Sequence, residues 1–207
     1  ETGSDFENIT LLVGFENVVA IGLRTDEYRR FEGKSIAEIA LALGKDPYDA
    51  LFDLLAAEQC EAGMIDYISD EEDLKAILRA PFSGVISDAT YPGAGQVHPR
   101  VYGAFARLIE TYVVREKVLT LEQAVHKVTL QAAERFSLAG KGKIEVGADA
   151  DLLLFAPEKI RERGTYLAPR VCASGFDEVF VLGERVIENG VYRGGSSGEM
   201  LGLRMEY

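Results

Sequence analysis

Val85-Ile-Ser-Asp88 is a short apolar run ending in an aspartate, and His98-Pro99-Arg100 follows it across a Gly-rich loop. A carboxylate at the C-terminal end of a buried strand stands where α/β barrels carry catalytic groups. There it can take a proton from a metal-bound water and return it to a leaving amine. The same aspartate can equally cap its own loop in an Asx turn, and the local pattern leaves both readings open. His98 and Arg100 flank Pro99 at a helix start, where exposed N–H groups and a guanidinium favour an anion such as a carboxylate. The alternative is a plain helix start bearing a surface arginine. Tyr91 and Tyr102 can line a pocket or simply pack. His126 lies close to the apolar stripe of its helix and reads as structural, while Cys60 and Cys172 read as inert.

A hydrolytic zinc site needs several His, Cys or carboxylate ligands around an open position. With two histidines and two scattered cysteines, a self-contained site is hard to assemble. HxH, HExxH, P-loop and GxGxxG patterns do not occur, which removes many self-sufficient enzyme classes.

The elements that would position these residues follow from caps and periodicity. Ser35-Ile-Ala-Glu38 is a capping box opening a helix that Gly44 stops, and Asp46-Pro47 opens a second. "ITLLV" (9–13), "MIDYI" (64–68) and "FSGVIS" (82–87) read as short strands, with a helix opened by Ser69 to Glu72 between the last two. Helices are expected over about 100–116 and 121–136, the second opened by the Thr120/Gln123 pair. After Gly140 the texture turns to short strands: "GKIEVGADADLLLF", then a hairpin in "DEVFVLGERVIENGVY" with its turn near Gly183 and Glu184. The fold class is therefore α/β, with an α/β part over 1–140 and a β part over 141–207.

The 34 acidic residues outnumber the 22 basic ones, for a formal charge of −12. That charge repels phosphate backbones and anionic lipid surfaces, so neither nucleic acid nor membrane is an expected partner. No apolar run approaches the roughly 20 residues that span a bilayer. Two cysteines without a CxxC spacing fit a reducing setting, and a cytoplasmic location is expected. Asn8-Ile9-Thr10 matches a glycosylation acceptor, a reading set aside without a secretion signal.

Residues 85–155 as a whole, from "VISDATYPGAGQVHPRVYGAFARLIETYVVREKVLTLEQAVHK" to "GADADLLLF", resemble the C-terminal portion of the D-aminoacylases. These are the N-acyl-D-amino-acid deacylases of the amidohydrolase superfamily. "GKSIAEIALALGKDPYDALFDLL" and "ISDEEDLKAILRAPF" extend the resemblance upstream, so that it covers about 5–190. "GADADLLLF" and "VLGERVIENG" are shared by many amidohydrolases, whereas the Ser87-Asp88 to His98-Pro99-Arg100 spacing points to the D-aminoacylase group. The resemblance implies a metal-dependent (β/α)8 barrel, incomplete here over 1–140, and part of a small β-sandwich over 141–207. It implies zinc in the complete enzyme and a small-molecule N-acyl amino acid as substrate. Asp88 would be the general acid/base beside the metal, and itself a weak ligand. Arg100, with His98 beside it, would hold the substrate carboxylate. The family's HxH pair, ligating cysteine and further barrel histidines have no counterpart here, so the chain alone is expected to be inactive. Its expected partner is the missing N-terminal part of the barrel or another copy of itself. Ala89, where the family more commonly has glycine, and the loop from Tyr91 to Val97 depart from the pattern. A truncated, non-catalytic interaction module is the alternative.

Overall fold

The computed structural model describes residues 8–89 and 97–201, which fall into two compact units. The first spans residues 8–70 together with 97–98, and the second residues 71–89 with 99–201.

In the first unit, α1 (Ile9–Val13) leads to β1 (Val18–Ile21), α2 (Ile36–Leu43), α3 (Pro47–Ala57) and β2 (Gly63–Asp66). The "ITLLV" stretch is thus a helix and not the expected strand. Its cause is local: the Asn8 side chain accepts from the Leu11 N–H at 3.2 Å and from the Thr10 hydroxyl at 2.7 Å, an N-cap that wins over β-branched propensity. The β1 and β2 strands pair antiparallel, Val18 opposite Asp66 and Ile21 opposite Gly63. The expected capping box at α2 forms in both directions, with Ser35 Oγ accepting from Glu38 N (3.2 Å) and Glu38 Oε2 from Ser35 N (2.9 Å). Around these elements Val18, Ala20, Leu23, Tyr28, Phe31, Ile36, Ile39 and Leu54 close a core. Each fully buried Ile or Leu in it contributes roughly 1.5–3 kcal/mol.

Two carboxylates fix the loop after β1. Glu32 accepts from the N–H groups of Gly22 (2.8 Å) and Leu23 (2.9 Å), and the buried Glu58 from those of Arg24 (2.8 Å) and Thr25 (3.1 Å). Four successive backbone donors, which no strand or helix satisfies, are thereby paired.

The second unit holds α4 (Glu71–Arg79), α5 (Arg100–Arg107), α6 (Leu121–Val128), α7 (Leu130–Arg135) and the strands β3 (Leu152–Phe155), β4 (Phe176–Val181), β5 (Glu184–Glu188) and β6 (Val191–Tyr192). The helix expected over about 100–116 continues beyond α5 as a π-helical stretch, Leu108–Arg115. The one expected over 121–136 breaks at Thr129, whose φ of −126° and ψ of −96° are not helical. The strands form one antiparallel sheet in the order β3-β4-β5-β6. The expected hairpin is β4–β5, with its turn one residue earlier than expected. Leu182 (φ 49°) and Gly183 (φ 83°) take it, the two positive φ values of the turn that suits strand twist. "GKIEV" forms no strand, and neither does "FSGVIS". Over 83–89 the chain is irregular, with Ile86 and the preceding Phe82 exposed, because no strand among the described residues pairs with it. Leu78, Ala106, Leu108, Ile109, Tyr112, Leu119, Ala124 and Ile160 make this unit's core.

Candidate active site

Asp88 sits at the end of that irregular segment with a φ of 46°, a left-handed conformation that Asp tolerates better than most residues. Its Oδ2 lies 2.9 Å from Nη2 of Arg100, the first residue of α5. The two candidates that the sequence separates by twelve positions thus meet in an ion pair. Both remain accessible, the Asp88 side chain 71 % and the Arg100 side chain 40 % exposed, so each can still reach a ligand.

His98, half-buried, belongs to the first unit, whereas Asp88 and Arg100 belong to the second. Tyr91 lies outside the described residues. Tyr102 is half-buried and lines a largely apolar cavity of about 450 Å³, together with Ser87, Arg100, Phe105, Val128 and Phe176. His126 is exposed on α6 rather than turned to its apolar face. Cys60 and Cys172 are exposed thiols.

Farther along α5 and its π-helical continuation, polar groups interlock below Arg100. Arg107 Nη1 lies 3.6 Å from Glu162 Oε2, the Glu162 N–H donates to Glu110 Oε2 at 2.7 Å, and the Tyr112 hydroxyl donates to Glu71 at 2.8 Å. Burial pushes the Glu162 carboxyl up, against the pull of Arg107. Gly103 lets this carboxylate come close: a Cβ there would stand 2.9 Å from Glu162 Cγ.

Sequence reasoning missed Lys127, which is buried on α6 beside Ala124. Its Nζ donates to the carbonyls of Ala80 (2.6 Å) and Ser83 (2.7 Å) and to the Ser83 hydroxyl (3.0 Å). The available signal was its place on the α6 stripe, three residues after Ala124 and directly before Val128, where a lysine needs a buried partner.

Among the described residues, no group of three or more His, Cys, Asp or Glu side chains stands together as a metal site. Asp88 is one oxygen donor already paired with a guanidinium. The donor set here does not by itself fit zinc, which takes three or four protein ligands.

The amidohydrolase family model matches residues 14–187. An N-acyl-D-glutamate deacylase from Alcaligenes xylosoxydans xylosoxydans is 37 % identical over 151 residues, covering 73 % of this chain and 30 % of its own length. A D-aminoacylase from the same organism is 32 % identical over 174 residues, 84 % of this chain and 35 % of its own. The chain therefore spans about a third of the length of the curated relatives it matches. Among solved structures, a D-aminoacylase investigated for its binuclear metal center superposes with a TM-score of 0.77 at 31 % identity, over 90 % of this chain and 37 % of that one. The N-acyl-D-glutamate deacylase of Bordetella bronchiseptica, complexed with zinc and a phosphonate mimic of the tetrahedral intermediate, gives 0.74 at 30 % identity, over 88 % and 38 %.

Proposed function

The chain belongs to the amidohydrolase family, and from that premise we propose that it is the part of an N-acyl-D-amino-acid deacylase that contributes the acid/base carboxylate and a substrate-carboxylate contact. The observation that carries this reading is the Asp88–Arg100 pair at 2.9 Å, an exposed carboxylate and a half-buried guanidinium held together at the start of a helix. Asp88 accepts a proton from the attacking water and passes it to the amine nitrogen as the C–N bond breaks, releasing a carboxylate and a free amino acid. Arg100 turns its guanidinium from Asp88 to the α-carboxylate of the substrate, a geometry that suits two parallel N–H···O bonds. His98 is the further substrate contact of this proposal. Zinc supplies the water-activating chemistry in this reading; since the described residues do not assemble its ligands, Asp88 is the only donor we assign to it from this chain.

The proposal includes a boundary near residue 140, with incomplete barrel elements before it and a β-sandwich segment after it. It also includes a cytoplasmic setting, and association with the rest of the barrel or with a second copy.

Steady-state hydrolysis of N-acetyl-D-glutamate, N-acetyl-D-aspartate and N-acetyl-D-leucine by the protein as its gene encodes it tests the reading. Asp88→Asn keeps the shape but removes the proton acceptor, and kcat is expected to fall by at least about a hundredfold. Metal content measured on the same sample separates loss of proton transfer from demetallation. Wild-type turnover by Asp88→Asn removes the assignment, and no turnover of any of the three substrates by the unaltered protein favours the non-catalytic module.

A further inference from the structure

Between Ala80 and Asp88 the chain leaves α4 and runs to the candidate catalytic carboxylate with no strand partner among the described residues. A carboxylate that must meet a water and an amine within a few tenths of an ångström needs the backbone that leads to it fixed. The Asp88–Arg100 pair holds the far end only until Arg100 turns to the substrate, so during the reaction the near end must do the positioning. What holds the near end is a knot around the α4 C-terminus. Ser83 Oγ donates to the carbonyls of Ile77 (2.6 Å) and lies 2.9 Å from that of Ala80, and Lys127 Nζ reaches Ala80 O, Ser83 O and Ser83 Oγ. From α7, Gln131 Nε2 adds contacts to Pro81 O and Ser83 O, both at 3.2 Å.

Lys127 is the centre of this knot. An ammonium has three donors, and here all three are directed at oxygens of one short turn, two of them main-chain. Because Lys127 is only 5 % exposed, water cannot readily substitute for it. A cation at a helix C-terminus also matches the negative end of the helix dipole and satisfies carbonyls the helix leaves over. Burial pulls the Lys127 ammonium down from its ordinary range, a cost that a position on a core stripe bears for some compensating role.

We infer that Lys127 is a positioning residue for Asp88: it clamps the 80–83 turn to α6 and so fixes where the 84–88 segment starts and where its carboxylate ends. The inference rests on the reading of Asp88 as the acid/base group, and it adds a residue that touches neither substrate nor reacting atoms. Lys127→Met keeps the length and the apolar stem and removes the clamp. Lys127→Arg keeps a cation with several donors.

The test compares these variants with Asp88→Asn in the protein as its gene encodes it, using hydrogen–deuterium exchange by mass spectrometry and hydrolysis of the same three N-acetyl-D-amino acids. Lys127→Met is expected to speed exchange in peptides covering 82–89 by at least about fivefold, leaving those of α5 unchanged. It is expected to lower kcat about tenfold or more with KM within about twofold, since a displaced carboxylate impairs proton transfer and not substrate binding. Lys127→Arg should recover a large part of both. Unchanged exchange at 82–89 overturns the clamp, whatever the kinetics. Faster exchange with wild-type kcat reduces Lys127 to fold support and overturns the positioning role. Wild-type turnover by Asp88→Asn sinks the catalytic reading itself, and the exchange result then reports on the clamp alone, so the two failures are distinguishable.

Discussion

An ion pair whose partners are 71 % and 40 % exposed stabilises a fold by only about 0–1 kcal/mol. That weakness suits Arg100 to its proposed work, because a substrate carboxylate replaces the Asp88 oxygen at little cost and in doing so leaves Asp88 able to accept a proton. A lysine there would keep the charge but lose the planar fork. For Arg100→Ala in the complete protein, KM is expected to rise about tenfold or more while kcat falls by less, provided the contact is as strong in the ground state as in the transition state. Arg100→Lys should lie between the two. Steady-state kinetics with N-acetyl-D-glutamate reads the split, and an unchanged KM would return the His-Pro-Arg turn to a purely structural role.

At the scale of elements, the loop of residues 22–25 depends on carboxylates. Burial pushes the Glu58 carboxyl up, but the Thr25 hydroxyl and the N–H groups of Arg24 and Thr25 outweigh it and hold it below the usual carboxylate range. A folded-state value below the unfolded one, about 4.3, means stability that is present at neutral pH and lost as pH falls through the folded value. Denaturant unfolding of the first unit's signals at pH 7 and pH 3 should therefore show a loss on acidification. Glu58→Gln should shrink that loss while lowering stability at pH 7. An unaltered pH dependence in Glu58→Gln would deny the carboxylate this role. In the second unit, Gly175 has a φ of 99°, and a Cβ there would collide with the Lys159 carbonyl oxygen. Gly175→Ala should cost about 2–4 kcal/mol, by strain and by displacing the lead into β4. A thermal midpoint within a degree of wild type would contradict that. Elements with complete local signals were legible in the sequence, because Ser35 with Glu38, Thr120 with Gln123 and Asp46 with the Tyr48 N–H just past Pro47 each fix a helix start by contacts within four residues. "FSGVIS" was misread because a strand exists only through a partner, and pairing is not written in the segment itself. For the same reason Asp88 and Arg100 could be nominated singly but not as a pair, and Lys127 escaped notice because its three oxygens lie 44 to 47 positions away.

For the molecule as a whole, two features oppose each other. The charge of −12 disfavours association between copies. Against it stands β3, which has a neighbour on one side only among the described residues and carries Leu153 and Leu154 at 56 % and 61 % exposure. A row of unpaired N–H and C=O groups beside exposed leucines is a template for another strand, whether from the rest of the protein or from a second copy. The repulsion is screened beyond about 8–10 Å at ordinary salt, whereas strand pairing acts at contact, so the edge should prevail as ionic strength rises. The 207-residue chain expressed alone is therefore expected to self-associate at micromolar concentration, more at 0.5 M than at 0.05 M NaCl. Leu153→Lys should reduce the association, since a charge on an edge strand is a standard guard against pairing. Static light scattering across concentration and salt decides it. A monomer throughout that range would show that β3 is not a template, and association that Leu153→Lys leaves intact would locate the sticky surface elsewhere.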